Sequence, residues 1–207
     1  VQLKRLEAGN AHGFRLATAI ENYRLVLRNP RTKVCYGAVF IEGVAVFGLF
    51  PFIALLLAAS GETRAAIAGL VISAFAVGGI VYAASVRHLV ARFTRERLML
   101  AGGLFAALGL IVEAVVPPWP VQALALAVMG FGFYMLHASI MVEMSELAPL
   151  ARGTAVAGHA FAYFVGQAVG PAVYGLGFMS LGTATMPAGA AATMAGVGFA
   201  TGIEAPT

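Results

Sequence analysis

The sequence predicts an all-α polytopic membrane protein, a bundle of six transmembrane helices. Hydrophobic residues make up 60% of the 207-residue chain and charged residues only 11%, whereas about 25% of the residues in an ordinary soluble domain are charged. The charges are also clustered, and none occurs between Gly153 and Ile203. Because a soluble fold of this length needs a polar exterior, the composition excludes a soluble globular domain.

Each predicted span is a run of about 20 or more mostly apolar residues, the length needed to cross a bilayer. The predicted spans are 34–59, 65–86, 98–116, 121–147, 153–177 and 181–202. The last is the weakest because alanine, glycine and threonine dominate it. The intervening segments are short and contain helix-breaking residues such as Pro117 and Pro149. We therefore expect neighbouring helices to be antiparallel.

The positive charges predict the orientation. Twelve of the thirteen Lys and Arg residues lie in residues 1–33 and in the loops that follow the second and fourth spans; only Arg64 lies in a loop on the other side. Cytoplasmic segments of membrane proteins are enriched in Lys and Arg. We therefore expect both termini to be cytoplasmic, in the cytoplasmic membrane of a bacterium. Basic strips between apolar runs also argue against nucleic acid as a partner.

Residues 1–33 are predicted to form a cytoplasmic linker with an amphipathic helix over 14–29. Apolar residues recur at helical spacing on one side of this segment, and Asn29-Pro30 is expected to end it. Basic residues on the other side favour a position along the inner membrane surface, where they meet anionic lipid. The alternative is a solvated linker helix. Since the first residue is Val, we expect the chain to begin within a longer reading frame.

The loop after the second span is strongly basic. The run from Arg87 to Arg97 contains Arg92, Arg95 and Arg97. This loop resembles the second, degenerate copy of the Gly-x-x-x-Asp-Arg-x-Gly-Arg-Arg motif of the major facilitator superfamily of transporters. The three arginines fit the basic positions of that motif. The acidic position of that motif is occupied here by Ala91.

The fifth span carries closely spaced glycines and a proline. Gly166 and Gly170 form a Gly-x-x-x-Gly pattern that lets two helices approach closely, and Pro171 removes a backbone hydrogen bond and favours a kink. This span is similar to the Gly-Pro-bearing helix of the superfamily's antiporters, and by the repeat symmetry of the two halves it corresponds to helix eleven.

The resemblance covers residues 23–202. It implies that the chain is the C-terminal half of such a transporter, helices seven to twelve, with residues 1–33 as part of the central cytoplasmic loop. The implied partners are the lipid bilayer, a small-molecule substrate, protons, and either the N-terminal six-helix half of the same parent chain or a second copy.

Charged residues within spans are the first functional candidates, because a buried charge costs about 2.5–3.5 kcal/mol or more on insertion scales. Glu42 lies among apolar neighbours inside the first span and is a candidate proton carrier. His137 and His159 lie on adjacent antiparallel helices, and such a pair shuttles protons near neutral pH if the two rings share one depth. The alternatives are a structural carboxyl bonded to a neighbouring helix, and two separate packing histidines.

The remaining candidates fall into three groups. Gln167 is a candidate hydrogen-bond donor to a substrate. The candidate aromatic lining of the substrate site is Phe47, Tyr134 and Tyr163. The alternative is that these aromatic side chains pack in the bundle or contact lipid. Glu143 and Glu146, near Arg152, predict a cytoplasmic gate or a surface salt bridge. Pro51 is expected to bend the first span, and Glu113 to reach the headgroups.

The leading functional hypothesis is secondary active transport, with proton-coupled efflux of a small organic solute or drug by alternating access. The first alternative is uptake or uniport of a small metabolite. The second is a non-transporting membrane subunit or scaffold. The sequence contains no nucleotide-binding loop, metal-ligand spacing or nucleophile arrangement, so neither an enzyme nor a cofactor is expected.

Overall fold

A computed structural model describes residues 16–203, and all regular structure in that range is helical. The α-helices are α1 (Leu16–Arg28), α2 (Pro30–Glu42), α3 (Ile53–Ala59), α4 (Ala65–Arg92), α5 (Arg95–Ala114), α6 (Trp119–Leu147), α7 (Arg152–Leu181) and α8 (Thr185–Ile203). Between α2 and α3 lie a π-helix over Gly43–Phe47 and a 3-10 turn over Phe50–Phe52. The helical prediction is therefore confirmed, and this architecture is that of an integral membrane protein.

Five helical segments are long and apolar enough to cross a membrane: Pro30–Ala59, which we call the first span, and α4, α5, α6 and α7. The sixth predicted span also forms a helix, α8, which packs mainly on α5. It is not among the five helices that meet the length and hydropathy of a membrane span, and small residues dominate its sequence. The helix α8 therefore packs in the bundle, although its composition alone does not identify it as a membrane span.

The centre of the bundle is α6, which contacts α4, α5, α7 and the first span. On the far side of α5 lies α8, so α5 is enclosed by two helices. The least buried of the five candidate spans are α4 and α7. They flank α6 on an open face of the bundle.

The first span begins four residues earlier than predicted. Asn29 caps α2, because its side chain accepts a hydrogen bond of 2.9 Å from the backbone N–H of Arg31. Pro30 takes the first helical position, where its missing N–H has no consequence. Asn29-Pro30 therefore starts one helix as well as ending another. Within the segment predicted as an amphipathic helix, α1 covers Leu16–Arg28, and residues 14 and 15 lie outside the described range.

The first span packs closely on α7 through glycines. A Cβ added to Gly43 would lie 2.5 Å from the carbonyl oxygen of Tyr163, and one added to Gly170 would lie 2.8 Å from the Cα of Gly48. Gly166 and Gly170 thus lie where the two helix backbones approach closely. The glycines are five residues apart on the first span and four apart on α7, and the intervening π-helix, with its wider turn, accommodates the difference.

A hydrogen bond from α7 stabilises the irregular winding of the first span. The buried Tyr174 hydroxyl of α7 donates a 2.7 Å hydrogen bond to the carbonyl of Ala45 within the π-helix. The predicted break at Pro51 coincides with the 3-10 turn. By contrast, α7 remains helical through Pro171.

Ion pairs lie at both ends of the bundle. At the end where α6 finishes, buried Arg31 pairs with Glu143. At the opposite end, the loop between α3 and α4 carries an exposed pair, in which the Arg64 guanidinium lies 2.6 Å from the Glu62 carboxylate. The hydrogen bonds from Arg64 lower the pKa of Glu62 to about 2.

Candidate functional site

An acid and an imidazole meet in the interior of the bundle. Glu42, the last residue of α2, lies with its Oε2 2.7 Å from Nδ1 of His137 on α6. The Glu42 side chain is fully buried, whereas 20% of the His137 side chain is exposed. Within the described residues, Oε1 of Glu42 has no hydrogen-bond partner. His137 therefore connects a sequestered carboxyl group to the surface of the bundle.

His159 on α7 completes a group of three ionisable side chains. Its ring centroid lies 4.7 Å from that of His137, with the rings in an edge-on arrangement. The two rings thus lie at one depth, as the antiparallel order of α6 and α7 predicted. His159 is buried, and its Nε2 has no partner among residues 16–203. This nitrogen is free to accept or donate one further hydrogen bond.

A second polar pair lies beside these residues on α7. The amide of Gln167 donates a 2.7 Å hydrogen bond to the hydroxyl of Tyr163, one helical turn away. The Tyr163 ring lies 4.8 Å from that of His137, measured between centroids. The predicted substrate donor is therefore next to the predicted proton carriers.

Aromatic rings form the wall of the site towards α4. The Phe47 ring lies 5.6 Å from Tyr163 and 5.3 Å from Phe133. Tyr134 contacts Phe133 at 5.3 Å and is 39% exposed, so it lies at the margin. Of the predicted lining residues, Phe47 and Tyr163 lie against the polar cluster, and Tyr134 borders the open face.

The residues of the predicted cytoplasmic gate do not contact one another as a group; each has a different partner. Glu143 does not pair with Arg152; its carboxylate binds Arg31 at 2.5 Å, and both side chains are buried. Arg31 also donates to the carbonyl of Thr201 near the end of α8. This buried pair joins α2, α6 and α8, and it replaces the expected surface salt bridge at Glu143.

Glu146 has a different partner. It pairs with Arg95 at 2.7 Å, and both side chains are partly exposed. The guanidinium of Arg152 instead donates to the backbone carbonyl of Ser145. Arg92 and Arg97 are exposed at the same end of the bundle. Only Arg95 of the three predicted loop cations thus forms an ion pair with a predicted gate glutamate.

The burial of two charged residues was not predicted from the sequence. Arg31 was assigned to the linker, although the Asn-Pro helix start two residues earlier is a signal for its inclusion in α2. Glu113 was expected to reach the headgroups, and this is wrong. It is fully buried, and neither carboxylate oxygen has a hydrogen-bond partner among the described residues.

The arrangement is suited to holding and passing a proton. An imidazole has two nitrogens, so His137 contacts Glu42 with one and still has the other available. Within residues 16–203 no three His, Cys, Asp or Glu side chains converge to hold a metal ion.

Comparisons with family models, with curated proteins and with solved structures gave no match to this chain.

Proposed function

We propose that this chain forms one six-helix half of a proton-coupled secondary transporter of the major facilitator type, and that it exports a small organic solute. The observation that carries the proposal is the Glu42–His137 contact of 2.7 Å inside the membrane-spanning helices. Ionisable groups at such positions are rare and mark ion pathways and proton relays.

The geometry supports a proton path from the open face into the bundle. Tyr134, His137 and Met141 recur at helical spacing on α6; Tyr134 and Met141 are exposed and His137 is partly exposed. His137 is at the same time in contact with Glu42 and His159. A proton that reaches His137 from this face has two buried acceptors within contact distance, so protonation of the interior does not require unfolding of the bundle.

A solute site next to the proton carriers is the second element of the proposal. Ligand pockets combine apolar or aromatic walls with a few placed polar groups. Phe47, Phe133 and Tyr163 supply such a wall, and the Gln167 amide supplies the polar group. In carriers of this type the solute binds between two repeats. We therefore place the second six-helix half, or a second copy, over the face between α4 and α7.

The proposed orientation follows the charges. Arg31, Arg92 and Arg95 lie at one end of the bundle, as does Arg152. Since basic residues remain on the cytoplasmic side, we assign this end to the cytoplasm of a bacterial cell and both termini to the same side.

The proposal is tested with the whole natural protein in proteoliposomes that contain the pH dye pyranine and have an acidic lumen. Ethidium, tetraphenylphosphonium and chloramphenicol are added outside, one at a time. Exchange of solute for protons predicts entry of at least one of the three probes together with alkalinisation of the lumen. Co-transport, the uptake alternative, predicts the opposite pH change. No movement of any of the three favours the non-transporting scaffold.

The decisive variant is Glu42→Gln, which keeps the side-chain volume and removes the titrating group. We expect its solute-driven proton flux to fall to that of protein-free vesicles. Glu113→Gln is the matched control, because Glu113 is equally buried but its carboxylate has no hydrogen-bond partner among residues 16–203. It should retain the wild-type flux. Wild-type flux in Glu42→Gln would exclude Glu42 as the coupling residue.

A further inference from the structure

We propose that the groove between the first span and α8 binds an acyl chain of an anionic phospholipid, with the headgroup phosphate at Lys33. This inference requires only that the chain spans a membrane, so it is independent of the transport proposal. Two adjoining cavities form the groove. One has a volume of about 340 Å³ and lies beside Gly37 and Gly196. The other has a volume of about 250 Å³ and extends to Tyr174 and Met186.

The two cavities adjoin at Ile41 and Thr193, which line both. Their walls offer almost no hydrogen bonds. The Thr193 hydroxyl already donates to the carbonyl of Ala190 at 2.7 Å. Such walls do not hold ordered water, which needs two to four polar partners. An apolar occupant is therefore required.

Glycines create the groove. A Cβ added to Gly37, Gly189 or Gly196 would have no atom within 4 Å. The glycines of α8 that face α5 behave differently, since a Cβ on Gly198 would lie 3.0 Å from the Cα of Gly103 and one on Gly202 would lie 2.9 Å from the carbonyl oxygen of Glu96. The glycines along the groove thus do not bring helices together. They leave a channel on the outer surface of the bundle.

The groove is long enough for an acyl chain. Along the first span it extends from Val34 to Ala45, which is about 16 Å at the helical rise of ~1.5 Å per residue. Half of a ~30 Å hydrocarbon core is about 15 Å. An acyl chain that enters beside Val34 therefore reaches the depth of the membrane middle near Ala45, and on α8 the cavities continue past that depth to Met186.

The charge at the open end selects the headgroup. Lys33 is exposed, directly precedes Val34 and lies one helical turn before Gly37, and both of these residues line the groove. No described carboxylate pairs with Lys33. The neighbouring helix α1, which packs on α2 and α7, adds exposed Arg24 and Arg28. Basic residues at a membrane surface attract anionic lipid.

The test is native mass spectrometry of the whole protein, extracted from bilayers that contain equal amounts of phosphatidylglycerol and phosphatidylcholine. The wild type should retain one phospholipid per chain, with phosphatidylglycerol at least fivefold preferred. Gly196→Leu, which fills the groove, should lower retention at least fivefold. Lys33→Gln should retain the lipid but lose the preference.

Matched controls separate the groove from general effects. Gly69→Leu adds the same side chain at another unoccupied position, on α4, and Arg87→Gln removes an exposed charge elsewhere; neither should change the retained lipid. Equal retention in Gly196→Leu and Gly69→Leu would overturn the proposal, as would equal preference in Lys33→Gln and the wild type. A two-chain mass that is lost only in Gly196→Leu would assign the groove to a second copy instead.

Discussion

Two glycine-based helix contacts in this bundle have the same packing but different chemistry. The first span approaches α7 at Gly43, where a Cβ would lie 2.5 Å from a backbone oxygen, and α5 approaches α6 at Gly102, where a Cβ would lie 2.7 Å from a backbone nitrogen. The contact with α7 is bordered by the hydrogen-bonded groups Glu42 and His137. On α5, the buried acid Glu113 has no described partner.

The comparison teaches that a glycine pattern reports close packing and not function. Gly-x-x-x-Gly patterns let backbones approach wherever helices pack in a membrane. What distinguishes the α7 contact is that its buried acid, Glu42, has a partner and that this partner, His137, is partly exposed. Three predictions test how far the two regions differ.

The largest effect on stability is expected from leucine at the glycines. Gly43→Leu and Gly102→Leu both place a side chain against backbone that has no room to move. Each should lower the free energy of unfolding by about 3 kcal/mol, measured by denaturation in mixed detergent micelles. Gly69→Leu, which faces open space, should change stability little. A large loss in only one of the two variants would show that the contacts are not equivalent in packing.

An intermediate effect of opposite sign is expected at Glu113. Glu113→Met replaces an unpartnered buried carboxyl group with an apolar side chain of similar length. Stability should rise by about 1–3 kcal/mol, the penalty for an unsatisfied buried polar group. Glu42→Met, measured in the same way, should give a smaller gain or a loss because His137 loses its partner. Equal gains at both positions would remove the distinction between the two acids.

The smallest effect is expected from Tyr163→Phe. This change removes the acceptor of the Gln167 amide and should lower stability by about 0.5–1.5 kcal/mol. Tyr82→Phe is the control, because no described group accepts from or donates to the Tyr82 hydroxyl. If both variants unfold alike, the polar pair at Gln167 contributes nothing to the α7 contact.

The helices and their order were predictable because hydropathy is a local property. The predicted end of α6 at Leu147 and the start of α4 at Ala65 match the structure. Errors occurred where a local signal has two meanings. Asn29-Pro30 is typical both of the end of one helix and of the start of the next, so Arg31 was assigned to the wrong segment.

The candidate residues were predictable one by one, but most of their partners were not. Glu42 and His137 are 95 residues apart, and Arg31 and Glu143 are 112 apart. Such contacts depend on how helices are rotated about their axes, which apolar composition on all sides does not determine. For the same reason the burial of Glu113 could not be read from its position near the end of α5.

The hydrogen bond from Tyr174 to Ala45 has a consequence for the order of assembly in the membrane. In hydrocarbon no water replaces a missing partner of a backbone carbonyl, and this carbonyl belongs to the widened turn of the first span. Its additional donor resides on α7, which is synthesised more than a hundred residues later. The Ala45 carbonyl therefore gains this donor only after α7 has been inserted beside the first span.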